Sequence, residues 1–295
     1  MAVGEIGSIL VFRLEVKVRN RFIIVLLAVA AVVSFPATSS LAQNPQRGQQ
    51  PPAGPAPHWP DGRINLGAPL GQSGIWSGDG RLVINPKSYE PRSTLNAWID
   101  IKEVPLQDWA RALVDERHAE VLKFEPHARC KASGGPREFV TPYGFEIVDM
   151  PEQRRVFVLD IGGPHSFRIV YMDRKDHPKD LLPSYYGDSV GRWEGETLVI
   201  DTVGFNEKFW MSRDGLPHTD RLHLTERFSR PDARTLKYEV TIDDSGAYTK
   251  PWTSGFNLRW SEGTEVWEYV CQDNNHFPES VFDDSVVGGA SLIVP

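Results

Sequence analysis

The chain has 295 residues, with 32 Lys and Arg against 39 Asp and Glu and a formal net charge of −7. That acidic balance excludes the basic surface that nucleic-acid phosphates or an anionic membrane demand. Two cysteines exclude thiolate zinc sites, and no Gly-rich phosphate cradle calls for a nucleotide cofactor.

Arg13, Lys17, Arg19 and Arg21 precede an apolar run over residues 22–35, and Ser40-Leu41-Ala42 comes after it. This is the pattern of a signal peptide over 1–42, cut after Ala42. The apolar run falls short of the roughly 20 residues that span a bilayer, so no membrane span is expected after processing. An uncleaved anchor is the alternative. The expected location is periplasmic or secreted. Residues 43–60 are rich in Pro, Gln and Gly and read as a flexible linker. Residues 61–295 are then one domain, mildly acidic. Cys130 and Cys271 are expected to form a disulfide in an oxidising compartment.

Residues 106–124 carry Trp109, Leu113, Val114, Val121 and Leu122 near helical spacing and predict one helix. Beyond this helix the chain mostly alternates at period two. Residues 138–150 offer a strand or pair. Four hairpins are expected, over 155–161 with 165–173, 189–193 with 197–205, 222–229 with 235–243, and 255–260 with 265–271. The fold class is therefore mainly β. The expected form is an antiparallel up-and-down barrel, lipocalin- or calycin-like, of about 8–10 strands with one N-terminal helix. A two-sheet sandwich is the alternative. The gaps at 174–188 and 205–221 are long, polar and aromatic, the habit of site loops.

Alternate residues of a strand share a face, so an acid with apolar neighbours at i±2 is a candidate buried charge. Glu226, Asp201, Glu268 and Asp160 fit, and His165 lines up with Phe167, Ile169 and Tyr171. Acids and a histidine in one apolar lumen would suit general acid–base chemistry. On that basis the expected catalytic set is His165, Tyr171, Asp201, Glu226 and Glu268. Asp188, Ser189, Trp210, His218, Asp220 and Trp252 are expected to contact substrate. Each acid could instead pair with an arginine across the sheet, from Arg168, Arg192, Arg227 or Arg259.

Gly187-Asp188-Ser189-Val190-Gly191 matches G-x-S-x-G, but a hairpin stands where a nucleophile elbow needs a helix. A metal site from His218, Asp220, His177 and Asp180 is a further alternative. The main expectation has no metal and no cofactor.

The run from Asp188 to Asn206, DSVGRWEGETLVIDTVGFN, resembles the signature of an uncharacterised family of exported, β-rich bacterial proteins. The likeness continues through Leu216-Pro-His-Thr-Asp220, Glu226-Arg-Phe228, Thr241-Ile-Asp-Asp244, Ala247-Tyr-Thr-Lys-Pro-Trp252 and Glu268-Tyr-Val-Cys271. Pro60-Asp-Gly-Arg63 and His127-Ala-Arg-Cys130 also fit. The resemblance implies an exported domain with a polar site and no particular reaction. The expected function is a periplasmic enzyme acting on a small, partly apolar, ring-containing metabolite by cofactor-free acid–base chemistry: an isomerase, lyase or hydrolase. The alternative is a lipocalin-like carrier of a small molecule. The oligomeric state is open.

Overall fold

The computed structural model describes residues 53–78, 81–84, 96–120, 124–141, 143–162, 166–268 and 270–271. Nine strands close into one barrel in sequence order. They are β1 (Gly74–Ser77), β2 (Phe145–Met150), β3 (Arg155–Asp160), β4 (Phe167–Tyr171), β5 (Asp188–Glu194), β6 (Thr197–Val203), β7 (His223–Asp232), β8 (Thr235–Asp243) and β9 (Trp252–Glu262). The one α-helix among the described residues, α1 (Asp108–Ala119), lies within the expected 106–124.

The alternation that predicts the strands is the alternation that fills the barrel. In β7, Leu224, Glu226, Phe228 and Arg230 are buried, while His223, Thr225, Arg227 and Ser229 are only partly so. In β8, Leu236, Tyr238, Val240 and Ile242 point inward in the same way. Closure removes the exposed edges that an open sheet would leave.

The barrel is not purely antiparallel. Nine strands cannot alternate in direction around a closed ring, because an odd count forces one like-directed pair. That pair is β4 with β5, in register Val170↔Ser189 and Tyr171↔Val190. A parallel pair needs a crossover of a dozen or more residues. The long 174–188 gap supplies it.

The fourth expected hairpin does not form. β9 pairs with β1 on one side and β8 on the other. Residues 264–268 are not strand, and Glu268 is exposed. Trp76 of β1 meets Trp260 of β9 edge-on at 4.9 Å and packs the closing seam. Part of the expected linker is also held: Ala233 N–H donates to Gly54 O at 2.9 Å, and His58 bridges to Ile64.

The two ends of the barrel differ. At one end the strands are joined by tight turns, as between β5 and β6 or β7 and β8. The other end gathers the long connections: 161–166, 204–222, 244–251 and the approach to β2. From that end a 3₁₀ segment, Gly135–Val140, enters the lumen with all six residues buried. Its Phe139 ring lies 4.8 Å from Phe145, 5.2 Å from Phe228 and 4.9 Å from Tyr238. The chain thus fills much of its own barrel with aromatic contact.

Cys130, beside this inserted segment, is bonded to Cys271, with Cα atoms 5.6 Å apart and a sequence separation of 141. The bond ties the segment after β9 to the segment that enters the lumen. A loop of this length predicts about 4–5 kcal/mol of stabilisation in the chain-entropy account. Cys130→Ser with Cys271→Ser should lower the urea midpoint accordingly, and reductant should do the same only to the wild type. Among the described residues, no helix is long and apolar enough to cross a membrane.

Candidate functional site

The expected site residues separate onto the two faces of the sheet. Glu226 and Ser189 point into the barrel. Asp201, Asp188 and Tyr171 point outward, each offset by one residue from an inward neighbour (Thr202, Ser189 and Val170). The expectation that Asp201, Tyr171 and Glu226 share one lumen is therefore corrected. It rested on apolar neighbours at i±2, and β6 is apolar on both faces: Leu198 and Ile200 inside, Val199 outside. Glu268 joins neither group. His165 lies outside the described residues.

Inside, Arg168 of β4 is the hub. Its Nη1 donates to Glu138 Oε1 at 3.0 Å and Glu226 Oε1 at 3.2 Å. Its Nη2 donates to Glu226 Oε2 and, at 2.6 Å, to Thr202 Oγ1. Its Nε donates to Ser189 Oγ at 2.9 Å, and the Tyr238 hydroxyl donates to Glu226 Oε1 at 2.9 Å. Burial opposes the charge on Arg168, but Glu226 and Glu138 outweigh it and raise its pKa. Glu226 is thus the arginine-paired acid of the structural alternative. Ser189 is a hydrogen-bond acceptor in a packed core, without the exposure a nucleophile needs. The glycines of its motif are structural. Gly187 has φ +62°, and a Cβ there would lie 2.4 Å from Val203 O; one on Gly191 would lie 2.4 Å from Met172 Sδ.

Outside, the 174–187 loop is pinned to the barrel. Arg174 Nη2 donates to Asp188 at 2.8 Å, and its guanidinium stacks 3.6 Å from the Tyr171 ring centroid. His177 Nδ1 lies 2.8 Å from Asp188 Oδ1, and Nε2 lies 2.8 Å from Asp201 Oδ1. His223 Nε2 takes the other Asp201 oxygen at 2.8 Å. Partial burial disfavours the His177 charge, but Asp201 and Asp188 overcome it and raise its pKa. A raised histidine stabilises the fold fully below its ordinary value of about 6.5, and that contribution is lost as pH rises through the raised value. His177→Gln should therefore lower Tm at pH 6 and lose its effect progressively on the alkaline side. Melting curves of both proteins across that range would check this.

The remaining expected contacts are packed rather than open. The Trp210 ring is covered by the Arg117 guanidinium at 4.4 Å, and Trp252 packs on Tyr248 at 5.4 Å. His218 is buried against Phe209, ring centroids 4.1 Å apart, with its nitrogens 3.1 Å from Phe209 O and 3.3 Å from Thr219 O. Asp220 and Asp180 are exposed. Their set with His177 and His218 is not assembled, and no group of three His, Cys, Asp or Glu among the described residues is arranged to hold a metal ion.

A third group lies at the loop end of the lumen. Asp160, the last residue of β3, points inward and is 2% exposed. Its Oδ1 accepts from Gly162 N–H at 3.0 Å, while Oδ2 is buried with no partner among the described protein groups. Glu138 Oε2, Thr141 Oγ1 and Arg137 Nη1 are buried and partnerless in the same sense. The Tyr186 hydroxyl, beside Ser166, makes no bond of good geometry. Each such atom costs about 1–3 kcal/mol unless water or a ligand meets it. Several on one inward-facing end mark a place built to receive polar atoms.

The protonation states there are divided. Burial pushes Asp160 up to about 7, against the pull of the Gly162 N–H and Arg137. Burial pushes Glu138 up to about 8, with Glu226 and Asp160 adding to it and Arg168 opposing. Glu138 accepts from Arg168 through Oε1, so its proton belongs on the partnerless Oε2. Burial, then Arg137 and Arg213, lowers His127 to about 3, leaving a neutral ring hydrogen-bonded to Ser133 Oγ at 2.8 Å. Thr141, Tyr143 and His127 all approach Gly162. Of this group the sequence singles out only Asp160, by its neighbours Val156 and Val158. The signal for the others is Gly134-Gly135-Pro136, a run that breaks a strand just before two charged residues and Phe139-Val140.

Elsewhere, a cavity of about 10 Å³, room for roughly one water, lies between residues 64–67 and β2, β3, β5 and β6; its one carboxylate, Asp149, is paired with Arg63. No protein-family model, no curated protein and no solved structure matches the chain.

Proposed function

We propose that this is an exported enzyme of the bacterial envelope that moves protons on a small, partly apolar metabolite without a cofactor, with Asp160 as base and Glu138 as acid. The supporting observation is the pair of buried carboxyls, each with one oxygen held by the fold and one left without a protein partner. A base near pH 7 and an acid near pH 8 are the values that proton transfer at neutral pH requires. The export reading is supported by the N-terminal pattern and the disulfide. Catalysis is favoured over carriage because the apolar lumen of a carrier is here occupied by Phe139, Phe145, Phe228 and Tyr238. Aromatic side chains at the loop end, Tyr143, Tyr185, Phe205 and Phe209, suit a partly apolar substrate.

The test is proton exchange. The processed protein is incubated in D2O with a panel of small carbonyl compounds, and deuterium incorporation is monitored by NMR. Exchange should show a bell-shaped pH profile, rising as Asp160 loses its proton and falling as Glu138 loses its own, with apparent values belonging to the pair. Absence of catalysed exchange across the panel, or a profile indifferent to both Asp160→Asn and Glu138→Gln, rejects the proposal.

A further inference from the structure

The same end of the barrel holds a buried guanidinium donor that the proton-transfer pair does not use. Arg137 is 1% exposed. Its Nε and Nη2 both donate to Glu125 Oε1, at 2.8 and 2.5 Å, which leaves Nη1 buried and partnerless. Arg213 lies close enough for Arg137 and Arg213 each to disfavour a proton on His127, and Arg81 adds a third cation beside Arg213. Among the described residues, Glu125 and Asp214, the latter 3.9 Å from Arg81, face this group, and Asp160 lies within the field of Arg137. The unoccupied donor sits on the most buried of the three guanidinium groups.

We infer that the substrate carries a carboxylate, received by Arg137 Nη1 with Arg213 alongside. This rests on the acid–base reading of the same site and names its substrate class. One partnerless nitrogen on a buried guanidinium matches a monoanion better than a phosphate dianion, which takes several donors. The neutral His127 ring adds no further positive charge, and the Tyr143 ring lies 6.2 Å from it between centroids, tilted by 40°. A carboxylate anchored here would place the adjoining carbon toward the inner end of β3, where Asp160 stands. Arg137 also acts on Asp160 through space, so filling its free edge with an anion would raise the affinity of Asp160 for a proton and strengthen it as a base.

Thermal unfolding of the disulfide-bonded chain tests this with defined probes: acetate, benzoate, phenylacetate and 3-phenylpropionate, each against its primary amide at matched ionic strength. At least one carboxylate should raise Tm while its amide does not, because a ligand of the native state stabilises it by mass action. Arg137→Lys keeps a charge but loses the planar donor fork, and should weaken the Kd of that carboxylate about 10- to 100-fold. Should Arg137 variants fail to fold, Arg213→Gln alters a more exposed residue and should weaken the same Kd while leaving the unliganded Tm in place. Equal shifts for acids and amides, or no shift for any acid, overturns the inference. Asp160→Asn separates it from the catalytic proposal: carboxylate binding without exchange leaves the anion site standing alone, and exchange without carboxylate preference leaves only the chemistry.

Discussion

Asp160→Asn should abolish proton exchange and at the same time make the protein more stable above neutral pH. Both effects come from one buried carboxyl. Its ordinary value is 3.8, and burial in the fold pushes it up to about 7. A group that binds its proton more tightly when folded favours the fold at low pH, and that advantage is lost as pH rises from the unfolded value through the folded one. At pH 8 the carboxylate is ionised in a site that disfavours the charge, at a cost on the order of 4 kcal/mol. Asparagine keeps an oxygen for the Gly162 N–H and carries no charge. The variant and wild type should therefore melt alike near pH 4 and diverge toward pH 8, with the variant higher. A residue placed for packing alone gives the opposite sign, since its loss destabilises at every pH. An Asp160→Asn protein that melts lower at pH 8, or that still exchanges protons, removes Asp160 from the proposed role. Gain of stability on loss of activity is the signature of a site held against its own folding preference.

The barrel is legible in the sequence because its strands are amphipathic at period two. β7 and β8 carry the pattern over their whole length, and the turn at Ala233-Arg234 sits where the alternation breaks. β1 is not legible. It has four residues, Gly-Ile-Trp-Ser, and its role is set by closure against β9, a pairing between segments at opposite ends of the barrel sequence. With β9 paired to β1 and β8, residues 265–268 are not the strand expected there. In the site, sequence gives parity within one strand but not parity between strands. Asp201 and Glu226 each have apolar neighbours at i±2, yet register pairs Ile200 with Glu226 and turns Asp201 outward. The outer face of β6 is apolar because the 174–187 loop lies over that side of the barrel, as Leu181 does against Gly204. Glu138 is hidden for another reason. It reads as the start of a strand, and only its 3₁₀ conformation carries it into the lumen. Arg168, which the sequence marks only as one of several possible ion-pair partners, is the residue that joins the inserted segment to β5, β6 and β7.

That position makes Glu226→Ala the most destabilising single change expected in the core. Arg168 would keep Ser189 and Thr202, and its remaining counter-charge would have to come from Glu138, whose burial disfavours ionisation. Breaking a buried pair by removing one partner costs about 3–5 kcal/mol. The Tyr238 hydroxyl would lose its acceptor as well. Urea unfolding at pH 7 should show the loss, and a change below about 1 kcal/mol would mean that Arg168 is satisfied without Glu226. Replacing both partners, Arg168→Met with Glu226→Leu, should recover much of the stability, since the desolvation of two charges is removed together. Glu226→Gln is the informative intermediate. It keeps shape while withdrawing a negative charge that now helps hold the proton on Glu138. Arg168, left without its principal counter-charge, would draw ionisation out of Glu138 instead. The pKa of the proposed acid should fall, and the alkaline limb of the exchange profile should move to lower pH while the limb set by Asp160 moves less. The ion pair at the centre of the fold would then be what keeps a proton available at its open end.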